Sequence, residues 1–189
     1  MERRKKLSFF FYKLYVKGSG SKNIEKNYKK FFKERVKLIY NSKVLFLKKI
    51  VKKKITVLEV GSGAGHFLKA LENNKIFGKG IEPNKLLCKV GNQHLKKNKL
   101  INQKFSELKN FISNEKTANC LAAVGVLEHI ENPNEFLKLL KKSKIKYLYI
   151  SVPLFSLTSL VENSFENVYP RHLSGGHTHL YTKKSIYYF

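Results

Sequence analysis

The sequence predicts an α/β fold: a doubly wound, mostly parallel sheet with helices on both faces. From about residue 55 onward, short apolar segments alternate with amphipathic segments of helical length. The first apolar segment, 55–60, runs directly into a glycine-rich turn, and the second ends in Glu82. Strands that alternate with helices in this way form βαβ units. Because ligands bind at the carboxyl ends of such strands, the turn and Glu82 are predicted to share one site.

Composition predicts one domain and a strongly basic surface. The chain has 189 residues and 42% hydrophobic residues, which suffices for one buried core but hardly for two. Its formal net charge is +25, most of it in residues 1–54. Such a charge attracts nucleic acid or an anionic membrane surface. However, Lys, Asn and Ile are plentiful along the whole chain and Arg is scarce, which indicates a genome-wide compositional bias. A nucleic-acid partner is therefore possible but not favoured.

Cysteine usage and hydropathy bear on the compartment. Cys88 and Cys120 have neither metal-binding nor redox spacing, so a reduced, cytoplasmic location is expected. The longest uncharged run, 147–161, is shorter than the roughly 20 residues that span a bilayer, and it contains Pro153. No transmembrane segment is predicted.

Three parts of the chain are distinguished. Residues 1–27 form a basic, aromatic lead-in segment, and residues 28–54 form an N-terminal amphipathic helical extension. Residues 55–189 form the α/β domain. In the extension, aromatic and aliphatic residues recur at spacings of three and four, which predicts the helix face that packs on the sheet. These residues are Tyr28, Phe31, Phe32, Val36, Ile39 and Tyr40.

The predicted elements follow in order along the α/β domain. Strands are predicted at 55–60, 76–82, 99–104, 118–124 and 145–152, with the third the weakest. Helices are predicted at 65–73, 83–97 and 132–142, and a last helix begins at Thr182. Pro83 is predicted to open its helix, because a missing N–H costs little there. His66 is predicted to cap the first turn of its helix, and His94 to lie on a solvated face.

The glycine turn allows three interpretations. A phosphate-binding P-loop needs Gly-Lys-Ser/Thr, which is absent. The dinucleotide pattern G-x-G-x-x-G fits at its first two glycines, but His66 occupies the third slot. The pattern E-x-G-x-G-x-G is present without a gap from Glu59 to Gly65. Glu82 could accept hydrogen bonds from both ribose hydroxyls of an adenosyl ligand, but dinucleotide and S-adenosylmethionine (SAM) sites share that feature.

Five segments in order carry a family resemblance. They read VLEVGSGAGHFL, GKGIEPN, VGVLEHIENPNEFLKLL, YLYISVPL and RHLSGGHTHLYTKKSI. Over about residues 28–189 the chain resembles the class I SAM-dependent methyltransferases, particularly their small-molecule and cell-surface-sugar branch. The resemblance implies a Rossmann-like fold and SAM as cofactor. It also draws attention to Asn119, since the family often has Asp at the start of the fourth strand.

The resemblance implies a set of cofactor-binding residues. Glu59 would lie near the methionine amino end, Glu82 would hold the ribose, and Ser106 would meet the adenine. The backbone of the glycine turn would cradle the ligand, with N–H groups facing it. The full set is Glu59, Gly61, Ser62, Gly63, Gly65, Ile81, Glu82, Pro83, Ser106, Val124 and Gly125.

Catalytic and substrate residues are predicted after the fourth and fifth strands. His129 could act as a general base for a hydroxyl acceptor, or it could position substrate or brace a loop. The predicted substrate-binding residues are Arg171, His172, His177 and His179. No Cys or Asp near these histidines completes a metal set, so no metal is predicted.

The predicted function is methyl transfer from SAM to a small-molecule or sugar-like acceptor, at oxygen. One alternative is an RNA methyltransferase that uses the basic surface, and another is a non-catalytic SAM-binding partner subunit. Domains of this family usually end in an antiparallel hairpin, for which no residues remain after Phe189. The terminal hairpin strands are therefore expected to be missing and the chain to be a fragment of a longer protein.

Overall fold

A five-stranded parallel sheet forms the centre of the molecule. The computed structural model describes residues 29–155, 177 and 179–188. The strands are β1 (Thr56–Val60), β2 (Phe77–Glu82), β3 (Lys99–Asn102), β4 (Cys120–Val124) and β5 (Tyr147–Ser151). They lie in the order β3-β2-β1-β4-β5, and every neighbouring pair is parallel. From β1, the chain adds β2 and β3 on one side and then β4 and β5 on the other. In sheets of this kind, a crevice opens between the two middle strands, β1 and β4, at their carboxyl ends.

Helices cover both faces of the sheet. They are α1 (Phe32–Arg35), α2 (Asn41–Ile50), α3 (His66–Asn73), α4 (Lys85–His94), α5 (Leu108–Ser113), α6 (Pro133–Lys141) and α7 (Lys183–Tyr187). Helices α1 to α4 contribute to one apolar core, and α5 to α7 contribute to the other. Strand β1 serves both cores, since Val57 points into the first while Leu58 and Val60 point into the second. This confirms the predicted doubly wound, Rossmann-like α/β fold.

A π-helical turn changes which residues of the N-terminal helices are buried. The turn, Val36–Tyr40, joins α1 to α2. Phe32, Val36, Val44 and Leu47 are buried, which is a spacing of four, eight and three residues. Phe31 and Ile39, predicted on the packing face, are instead about half exposed. Phe31 lies outside α1, at its N-cap. Ile39 lies within the π-turn, where the wider turn delays the helical repeat and displaces a stripe extrapolated at 3.6 residues per turn.

The second βα junction begins its helix later than predicted. Pro83 lies outside α4, and Asn84 is the N-cap, with its side chain accepting hydrogen bonds from the N–H groups of Leu86 and Leu87. An asparagine oxygen satisfies N–H groups that have no partner within the helix. The helix ends at His94 rather than at residue 97.

Two histidines stack against the aromatic ring of Phe32. His66 begins α3 behind Gly65 and is buried, with its ring stacked 4.5 Å from Phe32 and 5.3 Å from Tyr40. His94 stacks on the other side at 4.0 Å from Phe32. The prediction of a capping role for His66 is wrong, because the residue is buried under aromatic rings of the N-terminal helices. His94 remains partly exposed on α4 beside its contact with Phe32.

Asn119 takes the structural place expected of an aspartate. Its Oδ1 accepts the Thr56 N–H at 3.0 Å, and its Nδ2 donates to the Lys54 carbonyl at 3.1 Å. The amide therefore ties the start of β1 to the start of β4. Asn in place of Asp thus keeps the hydrogen bond from the Thr56 N–H at the start of β1.

Glu72 anchors the chain between α4 and β3. One carboxylate oxygen of Glu72 accepts the backbone N–H groups of Lys96, Lys97 and Asn98, at 2.7–3.1 Å. The other accepts the Lys69 ammonium at 2.6 Å. Burial favours the neutral form, but these donors outweigh it and lower the pKa of Glu72 to about 2. The carboxylate thus serves as the acceptor for three consecutive backbone N–H groups in this loop.

We expect Glu72→Ala to lower the free energy of unfolding by about 1–3 kcal/mol, because three backbone N–H groups lose their acceptor. Since folding lowers this pKa from 4.5 to about 2, the stability from Glu72 is present above pH 4.5 and is lost as the pH falls toward 2. Urea unfolding at pH 7 and pH 3 measures both effects. The control is Glu34→Ala on the exposed side of α1. Equal stability of the two variants at pH 7 would contradict the anchoring role.

Candidate active site

The turn after β1 is built from glycines in the left-handed region. The φ angles of Gly61, Gly63 and Gly65 are +66°, +52° and +76°. A Cβ at Gly61 would lie 2.6 Å from Val126 Cγ2, so no other residue fits there. A Cβ at Gly63 would meet nothing within 4 Å. The turn is therefore tightly fitted at its start and open at Gly63.

Most of the N–H groups in this turn point inward. Those of Gly61 and Ser62 donate to the Ile81 carbonyl at 2.9 and 3.1 Å, and that of Gly65 donates to the Ser62 carbonyl at 2.9 Å. The expectation that the N–H groups of the turn face a ligand is wrong for these three, because they tie the turn to β2 and to itself. What the turn offers a ligand is bare backbone without side chains.

Glu82 lies at the tip of the glycine turn. The register that pairs Val60 with Ile81 places the next residue of β2, Glu82, beside the turn. Its Oε2 accepts the Gly63 N–H at 2.8 Å, and its Oε1 accepts the Asn84 N–H at 2.9 Å. Burial raises the pKa of Glu82, and the two N–H donors oppose that shift. Two carboxylate oxygens accept more than two hydrogen bonds, so capacity remains for ligand hydroxyls.

Glu59 brings a second carboxyl to the same end of the sheet. It is 2% exposed, and its Oε2 has no hydrogen-bond partner among the described residues. Burial raises its pKa to about 8; the Ser62 hydroxyl opposes this and the neighbouring Glu82 adds to it. A buried carboxyl oxygen without a hydrogen-bond partner is costly. A cationic group bound in the crevice would relieve that cost.

A cluster of one acid and two histidines lies beyond β4. The strand leads through Gly125, at φ +68°, into a 3₁₀ turn, Leu127–His129. Potential ligand atoms of Glu128, His129 and His177 all lie within 4.8 Å of one another. The segment around His177 is held there, since the His179 N–H donates to the Glu128 carbonyl at 3.2 Å. His129 and His177 therefore lie together, while the imidazole of His179 stacks toward Tyr181 at 6.1 Å.

Lys43 reaches this cluster from α2. Its ammonium donates to Ser151 Oγ at 2.6 Å, at the end of β5. Burial raises the pKa of Glu128 to about 7, opposed by a backbone hydrogen bond and by the positive charge of Lys43. Sequence reasoning missed Lys43, because nothing local distinguishes it from the many other lysines.

A cleft of about 1110 Å³ opens on the face covered by α5 and α6. Ser106 and His179 line it from opposite sides, together with residues of the loop before α6. Ser106 itself is exposed in a 3₁₀ turn after β3. Neither Glu82 nor the glycine turn lines this cleft, so it lies beside the crevice rather than within it.

The remaining candidate residues take positions around the crevice. Ile81 is buried, Pro83 and Val124 are half-buried, and Gly125 is exposed at the end of β4. Arg171 and His172 lie outside the described residues, as does the lead-in segment 1–27. None of the helices in the part of the chain that the structure describes has the length and apolar character that crossing a bilayer demands.

The family of the chain follows from its sequence profile. The family model for a methyltransferase domain matches residues 32–187. The chain belongs to this methyltransferase family. No curated protein matches the sequence significantly. Membership confirms the resemblance to class I methyltransferases, and SAM is the cofactor of the family.

Solved methyltransferase structures share the fold. A SAM-dependent methyltransferase from Archaeoglobus fulgidus has a TM-score of 0.61 at 19% identity, covering 81% of this chain and 66% of that one. The plantazolicin methyltransferase BpumL has a TM-score of 0.56 at 20% identity, with 79% and 60% covered. A methyltransferase from Thiobacillus denitrificans, bound to S-adenosyl-L-homocysteine (SAH), has a TM-score of 0.50 at 20% identity, with 65% and 54% covered. The chain thus spans less than two thirds of each relative.

The residues at the crevice of this methyltransferase domain fit SAM. Glu59 presents a buried oxygen without a partner, which suits the cationic end of the cofactor. Gly63 leaves open the space that a side chain would fill. Glu82 retains acceptor capacity for hydroxyls.

We expect the stability of the protein to fall as the pH rises from about 4.5 to about 8, in part because of Glu59. Folding raises its pKa from 4.5 to about 8, so in this window the folded chain holds a proton that the unfolded chain releases. In this window, Glu59→Gln makes the pH dependence of the free energy of unfolding shallower by up to ~1.4 kcal/mol per pH unit. Urea unfolding at half-unit steps measures the difference between the two proteins. Glu34→Gln serves as the control, and identical slopes in all three proteins would show that Glu59 is already ionised.

Proposed function

We propose that the chain transfers a methyl group from SAM to an oxygen of a small-molecule or sugar-like acceptor. The observation that carries the proposal is the contact between Glu82 and the open glycine turn at Gly63, with buried Glu59 behind it. This arrangement gives a bare backbone surface, an acceptor for sugar hydroxyls and a carboxyl that lacks a counter-charge. Together these are the groups that an adenosyl amino acid requires.

Each of these groups has a role toward the cofactor. Glu82 accepts hydrogen bonds from the ribose hydroxyls, and Ile81 and Pro83 flank the nucleoside. Glu59 faces the methionine ammonium, directly or through water, and ionises when that charge is bound. Val124 and Gly125 form the wall beside the methionine. When bound, SAM supplies an electrophilic methyl group, so the protein has mainly to align an acceptor with it.

The acceptor hydroxyl loses its proton on the β4 side of the crevice. His129 is half-buried at the end of the 3₁₀ turn, where it can accept that proton as a general base. A bound SAM would supply the methyl group to that oxygen, and SAH, with the electron pair of the broken carbon–sulfur bond, would be the leaving group. The nearby cleft of about 1110 Å³ is large enough for a small organic acceptor.

A small-molecule acceptor is supported by one relative. BpumL was crystallised with a monoazolic desmethylPZN analog and SAH, and its structure covers 79% of this chain. The net charge of +25 favours the alternative of an RNA acceptor. A SAM-binding subunit without activity is the third possibility, and turnover assays separate all three.

We expect SAM to bind the full-length chain and Gly63→Arg to abolish binding, because the arginine side chain would occupy the open space at Gly63. Isothermal titration calorimetry with SAM and SAH measures the affinities. Gly63→Ala is the matched control: it carries the same backbone cost at positive φ, about 1–2 kcal/mol, with little added volume. Binding by the arginine variant as tight as that of the alanine variant would place the cofactor elsewhere.

We expect Glu82→Gln to weaken SAM binding about tenfold or more, since hydrogen bonds to a charged acceptor contribute about 1.5–3 kcal/mol each. The variant keeps the shape of the side chain but loses its charge. Calorimetry of this variant is compared with Glu34→Gln, which removes an exposed carboxylate on α1. Equal affinities in the two variants would remove Glu82 from the cofactor site.

The acceptor class is tested with radiolabelled SAM against metabolite pools and against total RNA. We expect label in small molecules, at a rate that changes little between 50 and 300 mM salt. Transfer to RNA that falls steeply with salt would identify the RNA alternative. Cofactor binding without transfer to any pool would identify the non-catalytic one.

A further inference from the structure

Two separate segments of the chain bring three metal-binding side chains to one point. The 3₁₀ turn after β4 supplies Glu128 and His129, and the segment that leads to α7 supplies His177. One candidate ligand atom from each lies within 4.8 Å of the other two. The rings of His129 and His177 are 4.8 Å apart and tilted by 56°, so they are not stacked face to face.

The segment that carries His177 is fixed by hydrogen bonds beyond the cluster. The His179 N–H donates to the Glu128 carbonyl at 3.2 Å, and Tyr181 Oη donates to the Leu127 carbonyl at 3.3 Å. The backbone carbonyl of Tyr181 also accepts the Phe155 N–H, at 2.7 Å. His179 and Tyr181, which follow His177 in the chain, are thus held by hydrogen bonds next to Glu128.

The donor set defines the kind of ion. One carboxylate oxygen and two imidazole nitrogens suit divalent first-row transition metals, whereas Mg²⁺ and Ca²⁺ prefer oxygen donors alone. Bonds of about 2.0–2.2 Å to such a metal put its ligand atoms at most about 4.4 Å apart. From a separation of 4.8 Å, the ligand atoms therefore need to approach one another by between a fraction of an ångström and a little over one ångström to bind the ion. Glu128 is almost fully buried, and burial favours pairing a carboxylate with a cation.

We infer that Glu128, His129 and His177 form a binding site for a divalent first-row transition-metal ion at the acceptor side of the crevice. Three protein ligands leave coordination positions open, and an acceptor hydroxyl in one of them would lose its proton more readily. His129 is then a ligand, and the ion replaces it as the group that promotes deprotonation; the proton passes to solvent. This role rests on the proposed function, whereas binding of the ion does not.

Zn²⁺ binding to the chelator-treated full-length chain, without an affinity tag and without SAM, tests the site. We expect calorimetry to show one ion per chain. Glu128→Gln and His177→Ala should each weaken binding by about tenfold or more, because perturbing even the surroundings of a metal site costs 10–100-fold. His94→Gln, a histidine on α4 far from β4 in the sequence, should bind Zn²⁺ like the original chain. Failure of Zn²⁺ to bind, or equal affinity in all variants, would overturn the inference.

Two further measurements keep the result interpretable. Circular dichroism melts identify a variant that has lost its fold, and the visible spectrum of Co²⁺ on the unmodified chain needs no variant. Intense bands of a four- or five-coordinate ion support the site, and the weak spectrum of hydrated Co²⁺ overturns it. SAM affinity is measured separately on metal-free protein. If SAM binds but Zn²⁺ does not, this inference fails alone; if Zn²⁺ binds but SAM does not, the proposed function fails alone.

Discussion

The hydrogen bond from the Gly63 N–H to Glu82 Oε2 joins the glycine turn to the end of β2. It is possible because β2 extends one residue beyond the Val60–Ile81 pair at which β1 ends, and because Gly63 adopts a positive φ. The N–H groups of Gly61 and Ser62 add two bonds from the turn to the Ile81 carbonyl of β2. A turn that moved away from β2 would leave Glu82 without its Gly63 donor. The crevice therefore depends on backbone geometry more than on any single side chain.

The carboxylates of the chain fall into two groups, and the division marks the site. Glu72 and Glu115 each accept backbone N–H groups and a lysine ammonium, and the pKa of each is lowered to about 2. These acids stabilise loops. Glu59, Glu82 and Glu128 lie at the carboxyl ends of β1, β2 and β4, where burial dominates and raises the pKa. In a chain with 38 basic residues, three buried acids with raised pKa values at one end of the sheet indicate a functional site.

The sequence predicted what is encoded within one βαβ unit. The glycine turn, the acid at the end of β2 and the alternation of buried segments are local, so the fold and the proximity of Glu82 to the turn could be inferred. The π-helical turn was not predictable, because no residue type marks it, and Ile39 within it is about half exposed. Lys43 and His177 join the site from segments distant in sequence, and only the assembled sheet brings them to β4.

This difference in encoding bears on how the two halves of the site can change. The glycine turn beside Glu82 is fixed by strand register and by glycines whose replacement causes strain or collision. The cluster beyond β4 is assembled instead from a 3₁₀ turn, from Lys43 on α2 and from residues near Tyr181, whose hydroxyl bonds that turn. Under the proposed function, the turn and Glu82 would hold the methyl donor and the cluster would face the acceptor. The first depends on backbone geometry that tolerates little change, whereas the second depends on side chains from separate segments, which can vary without altering the register of β1 and β2.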